Sequence, residues 1–302
     1  MKTQILLALF AALLSIANAF YLNPVINADH PDPGVLLLED GSYAAVTTSN
    51  NADNAFPILH SQDLVHWESK GYVFPQGSWP TWAYKDMWAP EIHRVNGNYL
   101  IYFTGRDRDT DLLSIGVAVA SDSSDPFSSY RDFGRPFIQN HTMPGLGVID
   151  VHYFEDTQDA NRPYLVWKTD GNAIGVPSVI YLRELHQDGL SFASDEPTIE
   201  LISSDREFEH GIVEGAWLIN EKGFYFLFYS GDGFASVGYD VSVARSRNVR
   251  GPYEKFGKAI LGTDFERFSS GENSTFVGPG HCSVVRGNDS NWWMVYHSWR
   301  WH

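Results

Sequence analysis

The feature that most constrains the fold of this chain is a segment that recurs five times along it. Each copy has a turn, then an aromatic residue, then a run of apolar residues that ends in small polar ones: GSYAAVTT, GNYLIYFT, RPYLVWKT, GFYFLFYS and NWWMVYHS. The shared aromatic positions are spaced by about sixty residues, and they are Tyr43, Tyr99, Tyr164, Tyr225 and Trp293. The length and composition of these runs are typical of β-strands.

Further strands flank each aromatic run. An apolar run precedes it, as in GVLLLE, EIHRV and CSVVRG. In the first four copies, another strand, a Ser/Asp turn and a last aromatic follow, in the segments ILHSQDLVHW, VAVASDSSDPFSSY, IYLRELHQDGLSF and VSVARSRNVRGPY. With the last aromatic on a fourth strand, each unit has four antiparallel strands, and repeated units of this kind predict a β-propeller.

The expected fold is therefore all-β, a five-bladed β-propeller of four-stranded antiparallel blades. The fifth copy has no outer half in the sequence, so the fifth blade is predicted to be incomplete. The chain shows no helical periodicity after its first residues, which disfavours a doubly wound α/β fold. A length of 302 residues is acceptable for one large β domain.

The first residues predict the destination of the chain. Residues 1–19 read MKTQILLALFAALLSIANA, with Lys2 ahead of an apolar core and an Ala-x-Ala end, and this pattern predicts a secretory signal peptide. We therefore expect residues 20–302 to form a single propeller domain that is secreted and extracellular. No later segment is long and apolar enough to span a bilayer.

The charge of the chain limits its partners. A formal net charge of −16 argues against nucleic acid and against an anionic membrane surface, whereas a neutral ligand or a metal cation is easier to accommodate. Cys282 is the only cysteine, so no internal disulfide can form, and its apolar setting predicts a small buried residue. The sequence leaves the oligomeric state open.

The repeat also indicates which residues stand at the head of each inner strand. In a propeller the innermost strands surround a central channel, so their leading ends meet at one mouth. Counting back eleven residues from the shared aromatic, or fourteen in the third copy and twelve in the fifth, gives Asp32, Trp88, Asp150, Glu214 (within one residue) and His281. Three carboxylates, one aromatic side chain and one histidine are therefore predicted to converge.

Most of these residues also have a plainer interpretation. Asp32 lies in an HPDP turn, and Glu214 is compatible with an ordinary exposed acid. Trp88 is compatible with core packing, and His281 with a satisfied core histidine. Asp150 follows apolar residues in GVIDV, where an acid rarely stands without a partner, so it is harder to explain structurally.

Carboxylates that meet at an aromatic-lined mouth indicate glycoside hydrolysis. One carboxylic acid must protonate the leaving oxygen, and one carboxylate must activate water or attack the sugar. A third carboxylate can raise the pKa of the acid by charge repulsion and can orient it. The indole ring of Trp88 would stack on an apolar face of the sugar.

Five motifs in this order carry a family resemblance. They are HPDPGV around Asp32, MWAPEI around Trp88, VIDVHYF around Asp150, VEGAWL around Glu214 and GPGH ending at His281. From Asn23 to its end, the sequence resembles glycoside hydrolase family 43, whose members are five-bladed propellers that act on arabinose- and xylose-containing polysaccharides. Relatives continue past the YHS segment, so the chain is expected to be truncated at its C-terminus relative to the family.

The resemblance implies a role for each matching residue. Asp32 would be the general base, Glu214 the general acid and Asp150 the group that tunes the pKa of the acid and orients it, in a reaction that inverts the anomeric centre. Trp88 and His281 would bind the substrate. The family requires no cofactor, but His281 matches a histidine that often lies in the outer shell of a central structural Ca²⁺.

The activity implied by this resemblance is that of a glycosidase. The lead hypothesis is an α-L-arabinofuranosidase acting on arabinan- or arabinoxylan-type oligo- or polysaccharides. A β-xylosidase and an endo-1,5-α-L-arabinanase are alternatives within the same class. A non-catalytic sugar-binding propeller is the alternative from another class.

Overall fold

The computed structural model describes residues 21–49, 53–140, 143–270 and 276–300. The predicted signal peptide at residues 1–19 lies outside the described residues, and the extent of the domain, residues 20–302, stays a prediction. In the described part of the chain, no helix has the length and apolar character that crossing a membrane requires.

Four antiparallel sheets of four strands follow one another along the chain, and within each sheet the strands lie side by side in chain order. The first sheet contains β1 (Gly34–Leu37), β2 (Tyr43–Val46), β3 (Ala55–Ser61) and β4 (Trp67–Phe74). The second contains β5 (Ala83–Val95), β6 (Asn98–Asp107), β7 (Leu113–Ala120) and β8 (Tyr130–Asp132). The third contains β9 (Val148–Asp156), β10 (Arg162–Thr169), β11 (Val179–Glu184) and β12 (Ile199–Ser203). The fourth contains β13 (Val213–Glu221), β14 (Phe224–Gly231), β15 (Asp240–Ser246) and β16 (Glu254–Lys255).

The fifth copy of the repeat forms a sheet of two strands, β17 (Phe276–Arg286) and β18 (Trp292–Arg300). The prediction of a propeller with four-stranded antiparallel blades is thus confirmed for four blades, and the described residues do not show a fifth one. The first strands of the five sheets contact one another in sequence, β1 with β5, β5 with β9, β9 with β13 and β13 with β17, and β17 contacts β1. The inner strands therefore form a closed ring.

The core lies between neighbouring sheets, which explains why the repeated strands read as continuous apolar runs. One cluster of buried side chains joins the first and second sheets, another the second and third, and another the third and fourth. A fourth cluster joins the fourth, fifth and first sheets through Trp217, Val284 and Val35. Each sheet is thereby held on both faces by its neighbours.

The third sheet departs from the predicted pattern. The last aromatic of that copy, Phe192, was expected on the fourth strand, and this was wrong because β12 begins seven residues later. Phe192 forms an isolated bridge with Leu185, and its ring packs 5.3 Å from that of Phe137 and 5.8 Å from that of Trp167. A short helix, α1 (Phe265–Ser270), and single turns of 3₁₀ helix at Gly171–Ile174 and Glu207–Glu209 are the helical elements among the described residues.

Candidate active site

The five predicted site residues line one cavity of about 990 Å³ at the mouth of the ring of inner strands. They are Asp32, Trp88, Asp150, Glu214 and His281, and the structure brings all of them together. Lys168, Tyr239 and His297 line the same cavity. The five side chains thus converge as predicted. Their roles depend on the contacts that each of them makes.

A backbone feature shared by the five inner segments sets the direction of these side chains. Each has a residue in the left-handed region of φ at the channel mouth, namely Asp32 (54°), Ala89 (41°), Asp150 (56°), Gly215 (57°) and His281 (45°). β5 and β17 each contain a second such residue, Asp86 (54°) and Gly278 (58°). In β5, β9, β13 and β17 the residue at the mouth lies where pairing with the second strand shifts register. Each shift is a β-bulge, which adds a residue and re-aims the side chains beside it.

The bulges correct the predicted equivalence of positions. Trp88 and Glu214 were counted as equivalents of Asp32, but Ala89 and Gly215 occupy that backbone position, and the functional side chains come one residue earlier. At Gly215 the left-handed φ of 57° coincides with a close approach, because a Cβ there would lie 3.1 Å from Cγ of His281. Only glycine satisfies both constraints at this point.

Asp32 is held on both sides by its prolines. The carbonyl of Pro31 accepts a hydrogen bond from the amide of Thr48 at 3.0 Å, and that of Pro33 accepts one from the hydroxyl of Ser283 on β17. The Thr48 hydroxyl donates to Oδ2 of Asp32 at 2.6 Å. Nδ1 of His281 lies 3.3 Å from Oδ1 of Asp32.

These contacts decide the charge of Asp32. Burial alone would raise the pKa of its carboxyl group, but the charge of His281 and the hydrogen bond from Thr48 oppose burial, and the pKa lies below its ordinary value. Asp32 is therefore ionised at neutral pH, as a general base must be.

Asp150 is displaced in the opposite direction. Burial raises the pKa of its carboxyl group to about 6, with the charge of Glu214 adding to the rise and that of His281 opposing it. Its Oδ2 accepts a hydrogen bond from the amide of Gly215 at 3.1 Å. Two carboxyl groups in one cavity thus differ in their tendency to hold a proton, which is typical of acid–base sites.

Glu214 lies between two donors. Nζ of Lys168 is 2.7 Å from its Oε2, and the hydroxyl of Tyr239 donates to its Oε1 at 2.9 Å. Lys168 is 1% exposed and also lies 3.5 Å from Oδ1 of Asp170. The carboxyl group of Glu214 is therefore fixed at both oxygens.

Trp88 and His281 complete the wall of the cavity. The residue after Trp88, Ala89, donates its amide proton to Oγ1 of Thr48 at 2.7 Å, so the hydroxyl that binds Asp32 also fixes the chain next to Trp88. Burial lowers the pKa of His281, but the charges of Asp32, Asp150 and Glu214 outweigh it and raise the pKa above its ordinary value.

The residues around His281 are a poor direct site for calcium. Ca²⁺ prefers a set of oxygen ligands, whereas Nδ1 of His281 faces the carboxylate of Asp32 at 3.3 Å. Oδ2 of Asp32 and Oδ2 of Asp150 already accept hydrogen bonds. Nδ1 of His281 is thus engaged with Asp32, and a direct bond from this nitrogen to a calcium ion does not fit the arrangement.

Below the mouth, the described part of the chain brings together another group with metal-binding atoms, Glu91, His93 and His152. Oε2 of Glu91 lies 2.7 Å from Nε2 of His93 and 2.9 Å from Nδ1 of His152. The amide of Leu218 donates to Nε2 of His152 at 3.0 Å, so the proton of a neutral His152 belongs on Nδ1. A metal ion at Nδ1 would move that proton against the Leu218 amide, and the group is better explained as a buried hydrogen-bonded triad.

Comparison with known proteins places the chain in a family. The model of Glycosyl hydrolases family 43 matches residues 21–301. The chain belongs to this family. The resemblance seen in the sequence is thus confirmed, and the protein is a glycoside hydrolase.

Three family 43 relatives illustrate the similarity. A β-D-galactofuranosidase of Aspergillus niger is 27% identical over 91% of this chain and 75% of its own length. The extracellular endo-α-(1→5)-L-arabinanase 1 of Bacillus subtilis is 28% identical over 85% of this chain and 77% of its own. The crystal structure of a thermostable family-43 glycoside hydrolase superimposes with a TM-score of 0.78 at 28% identity, covering 92% of this chain and 87% of the other.

Sequence reasoning missed three residues of this family 43 site, Lys168, Tyr239 and His297. Two of them carried a signal, because Lys168 in WKT and His297 in YHS are basic residues at the end of a run that is otherwise apolar or hydroxylated. Tyr239 lies between β14 and β15, outside the repeated segments, and no pattern in the sequence points to it.

Proposed function

We propose that this family 43 enzyme hydrolyses α-L-arabinofuranosyl bonds in arabinan- or arabinoxylan-type carbohydrate, with inversion of the anomeric centre. Asp32 is the general base, Glu214 the general acid, and Asp150 tunes the pKa of the acid and orients it. The observation that carries this proposal is the opposite shift of pKa at Asp32 and Asp150 within one cavity that also holds Glu214.

The proposed reaction is a single displacement. The ionised Asp32 takes a proton from water as the water oxygen bonds to the anomeric carbon, and Glu214 gives its proton to the leaving oxygen as the glycosidic bond breaks. Both oxygens of Glu214 now accept hydrogen bonds, so the proton that it donates must reach one of them before each turnover. Asp150, with its raised pKa, is the nearby carboxyl group that retains a proton most readily.

The substrate is proposed from the relatives. Two of them are named as a β-D-galactofuranosidase and an endo-α-(1→5)-L-arabinanase. Aryl α-L-arabinofuranoside, aryl β-D-xyloside, aryl β-D-galactofuranoside and linear arabinan should be assayed side by side. We expect the highest kcat/KM on the arabinofuranoside, and a higher value on the xyloside or on arabinan would replace the lead with one of the alternatives.

Variants of the carboxyl residues test the roles. Glu214→Gln should lose activity on substrates with poor leaving groups and keep more on activated aryl glycosides, because an acid matters less when the leaving oxygen needs no proton. Asp32→Asn should lose activity on both kinds. If Asp150→Asn instead shows the leaving-group dependence, Asp150 is the acid. Binding of arabino-oligosaccharides without turnover by wild type would favour the non-catalytic propeller.

The stereochemical outcome has a direct test. Proton NMR of the first-formed sugar should show the inverted anomer. The retained anomer would recast Asp32 as a nucleophile.

Further properties of the chain are also proposals. We infer that the two-stranded sheet is the inner half of a fifth blade, since its first strand completes the ring of inner strands.

Trp88 is proposed to stack on the sugar, and His281 to contact the substrate and to lie in the outer shell of a calcium ion. Calcium should then raise Tm in wild type and less in His281→Gln, and an equal rise in both would contradict this role. Secretion is proposed from residues 1–19 and is checked by expression with and without that segment.

A further inference from the structure

Side chains of one sheet bind the bulged backbone of the next around the ring. The amide of Ala89 donates to Oγ1 of Thr48 at 2.7 Å, and that of Asp150 to Oγ1 of Thr104 at 3.4 Å. The amide of His281 donates to Oγ of Ser230 at 2.8 Å. In these three contacts, a hydroxyl in a second strand, or just past its end, receives the amide proton of the left-handed residue in the following sheet.

The same contact closes the ring, but with a different acceptor. The amide of Asp32 donates to Nδ1 of His297 on β18, at 3.1 Å. Gly215 is the exception. By strand register the equivalent residue in the third sheet is Lys168, which pairs with Ile149 as Thr104 pairs with Trp88. A lysine cannot accept, and the amide of Gly215 binds Asp150 instead. At the proposed general base, Asp32, the acceptor of this backbone contact is therefore the imidazole of His297 and not a hydroxyl.

We propose that His297 is a positioning residue for the general base, fixing the backbone of Asp32 through the lone pair on Nδ1. This inference rests on the proposed function, since it needs Asp32 to act as the base. A left-handed φ of 54° at Asp32 is a strained conformation that surrounding contacts must maintain. Among the described residues, the side chain of His297 is the part of the two-stranded sheet that forms a hydrogen bond with the main chain of Asp32.

The geometry specifies a tautomer. Nδ1 of His297 lies 3.1 Å from the amide nitrogen of Asp32, in hydrogen-bonding alignment, and 3.3 Å from Oδ1 of the same residue. One nitrogen cannot both accept from the amide and donate to the carboxylate. The aligned amide contact requires a lone pair on Nδ1, so the proton of the neutral ring lies on Nε2.

The same ring also contacts the tyrosine that binds the proposed acid. The imidazole of His297 stacks on the phenol ring of Tyr239, with centroids 5.8 Å apart and an interplanar angle of 17°. The hydroxyl of Tyr239 donates to Oε1 of Glu214 at 2.9 Å. One side chain thus contacts the backbone of the base and the tyrosine that fixes the acid, which ties the separation of the two groups to β18.

A double-mutant cycle separates positioning from a merely structural role. His297→Ala and Asp32→Asn are made singly and together, and kcat and KM are measured on an activated aryl α-L-arabinofuranoside. In the wild-type background we expect His297→Ala to lower kcat at least about tenfold and to change KM less than about twofold. In the Asp32→Asn background the further loss should shrink to about twofold or less, because the base that His297 positions is gone. Equal losses in both backgrounds would overturn the proposal.

His297→Asn is the matched variant, because its Oδ1 can accept from the same amide but cannot change charge. It should retain most of the kcat that His297→Ala loses. If Asn and Ala are equally impaired and equally destabilised in thermal melts, His297 only joins the sheets. If Asp32→Asn abolishes turnover and His297→Ala does not, this proposal alone is wrong. If the wild type has no turnover, the proposed function is wrong, and so is the catalytic part of this proposal.

The tautomer can be measured without turnover. Long-range ¹H–¹⁵N spectra of the wild-type imidazoles, assigned with His297→Asn, should show a protonated Nε2 and an unprotonated Nδ1 for His297. A protonated Nδ1 would mean that the ring donates to the carboxylate of Asp32, and the proposed contact with its backbone would be wrong.

Discussion

The ammonium group of Lys168 lies 2.7 Å from Oε2 of Glu214, with both side chains buried in the wall of the cavity. Lys168 belongs to β10 and Glu214 to β13, so the pair joins the third and fourth sheets at the channel mouth. A buried pair of this kind adds little to stability over an apolar pair, but removing one partner leaves a charge without compensation. The pair therefore fixes Glu214 in place and makes the site sensitive to loss of either charge.

Lys168→Met should lower the free energy of unfolding by about 3–5 kcal/mol in urea titrations at pH 7. Combining it with Glu214→Gln should cost less than the sum of the two single changes, because the double variant no longer has an unpaired charge at position 214, although Asp170 still loses its contact with Lys168. Lys70→Met is the matched control, since Lys70 pairs with Glu68 at the surface. Its expected effect is below about 1 kcal/mol. Similar losses at both lysines would contradict the buried pair.

The two aspartates of the cavity should respond to neutralisation with opposite sign. The pKa of Asp150 is raised in the folded state to about 6, so the folded chain binds a proton more tightly than the unfolded one, and stability falls as pH rises through that range. Asp150→Asn should therefore raise the free energy of unfolding at pH 7 by about 1–3 kcal/mol while it lowers kcat. At pH 4, where Asp150 is protonated in the folded chain, the gain should largely vanish.

Asp32→Asn serves as the comparison. The pKa of Asp32 is lowered in the folded state, so its contribution to stability is present above the pKa of the unfolded chain and is lost as pH falls. Asp32→Asn should therefore destabilise the protein at pH 7. Urea unfolding of both variants at pH 4 and pH 7 checks the signs, and a loss of stability at pH 7 for Asp150→Asn would contradict the argument.

The repeat predicted the sheets because its aromatic runs in the first three copies form strands, β2, β6 and β10, that are buried along almost their whole length between neighbouring sheets, and this leaves a strong apolar signal in the sequence. It placed Asp32 and Asp150 correctly at the mouth for the same reason. It misplaced the backbone equivalents of Trp88 and Glu214 by one residue, because a bulge adds a residue without changing the apolar pattern. Lys168 and His297 were missed because their partners lie on the next sheet, which no spacing within a repeat reveals.

Thr48 holds two parts of the site with one hydroxyl. It donates to Oδ2 of Asp32 at 2.6 Å and accepts from the amide of Ala89 at 2.7 Å. Thr48→Val keeps the shape and removes both bonds, so we expect a loss of about 1–3 kcal/mol in the free energy of unfolding. It should also lower kcat, because Asp32 loses the donor that orients it. Thr48→Ser keeps the hydroxyl and should stay near wild type in both measurements, and equal losses in the two variants would point to packing of the methyl group instead.

Gly280 explains part of the GPGH motif, because it leaves room for Tyr239. A Cβ at position 280 would lie 1.9 Å from Cε1 of the tyrosine ring, which is fully buried and cannot move aside without repacking. Gly280→Ala should therefore lower the free energy of unfolding by about 1–3 kcal/mol or more, as expected for overpacking. Activity should fall further than stability alone explains, since Tyr239 donates to Glu214.

Gly233→Ala is the matched control for this prediction, because a Cβ there would come no closer than 3.8 Å to any neighbour, the side chain of Ile212. Thermal melts and kcat of the two variants should separate clearly, with Gly233→Ala near wild type. Adding Tyr239→Ala to Gly280→Ala should remove the clash, so the double variant should lose less stability than the sum of the two single changes. Activity should not return, because the hydroxyl that binds Glu214 is then absent. A double variant that is as unstable as the sum of its parts would show that the strain at Gly280 has another origin than Tyr239.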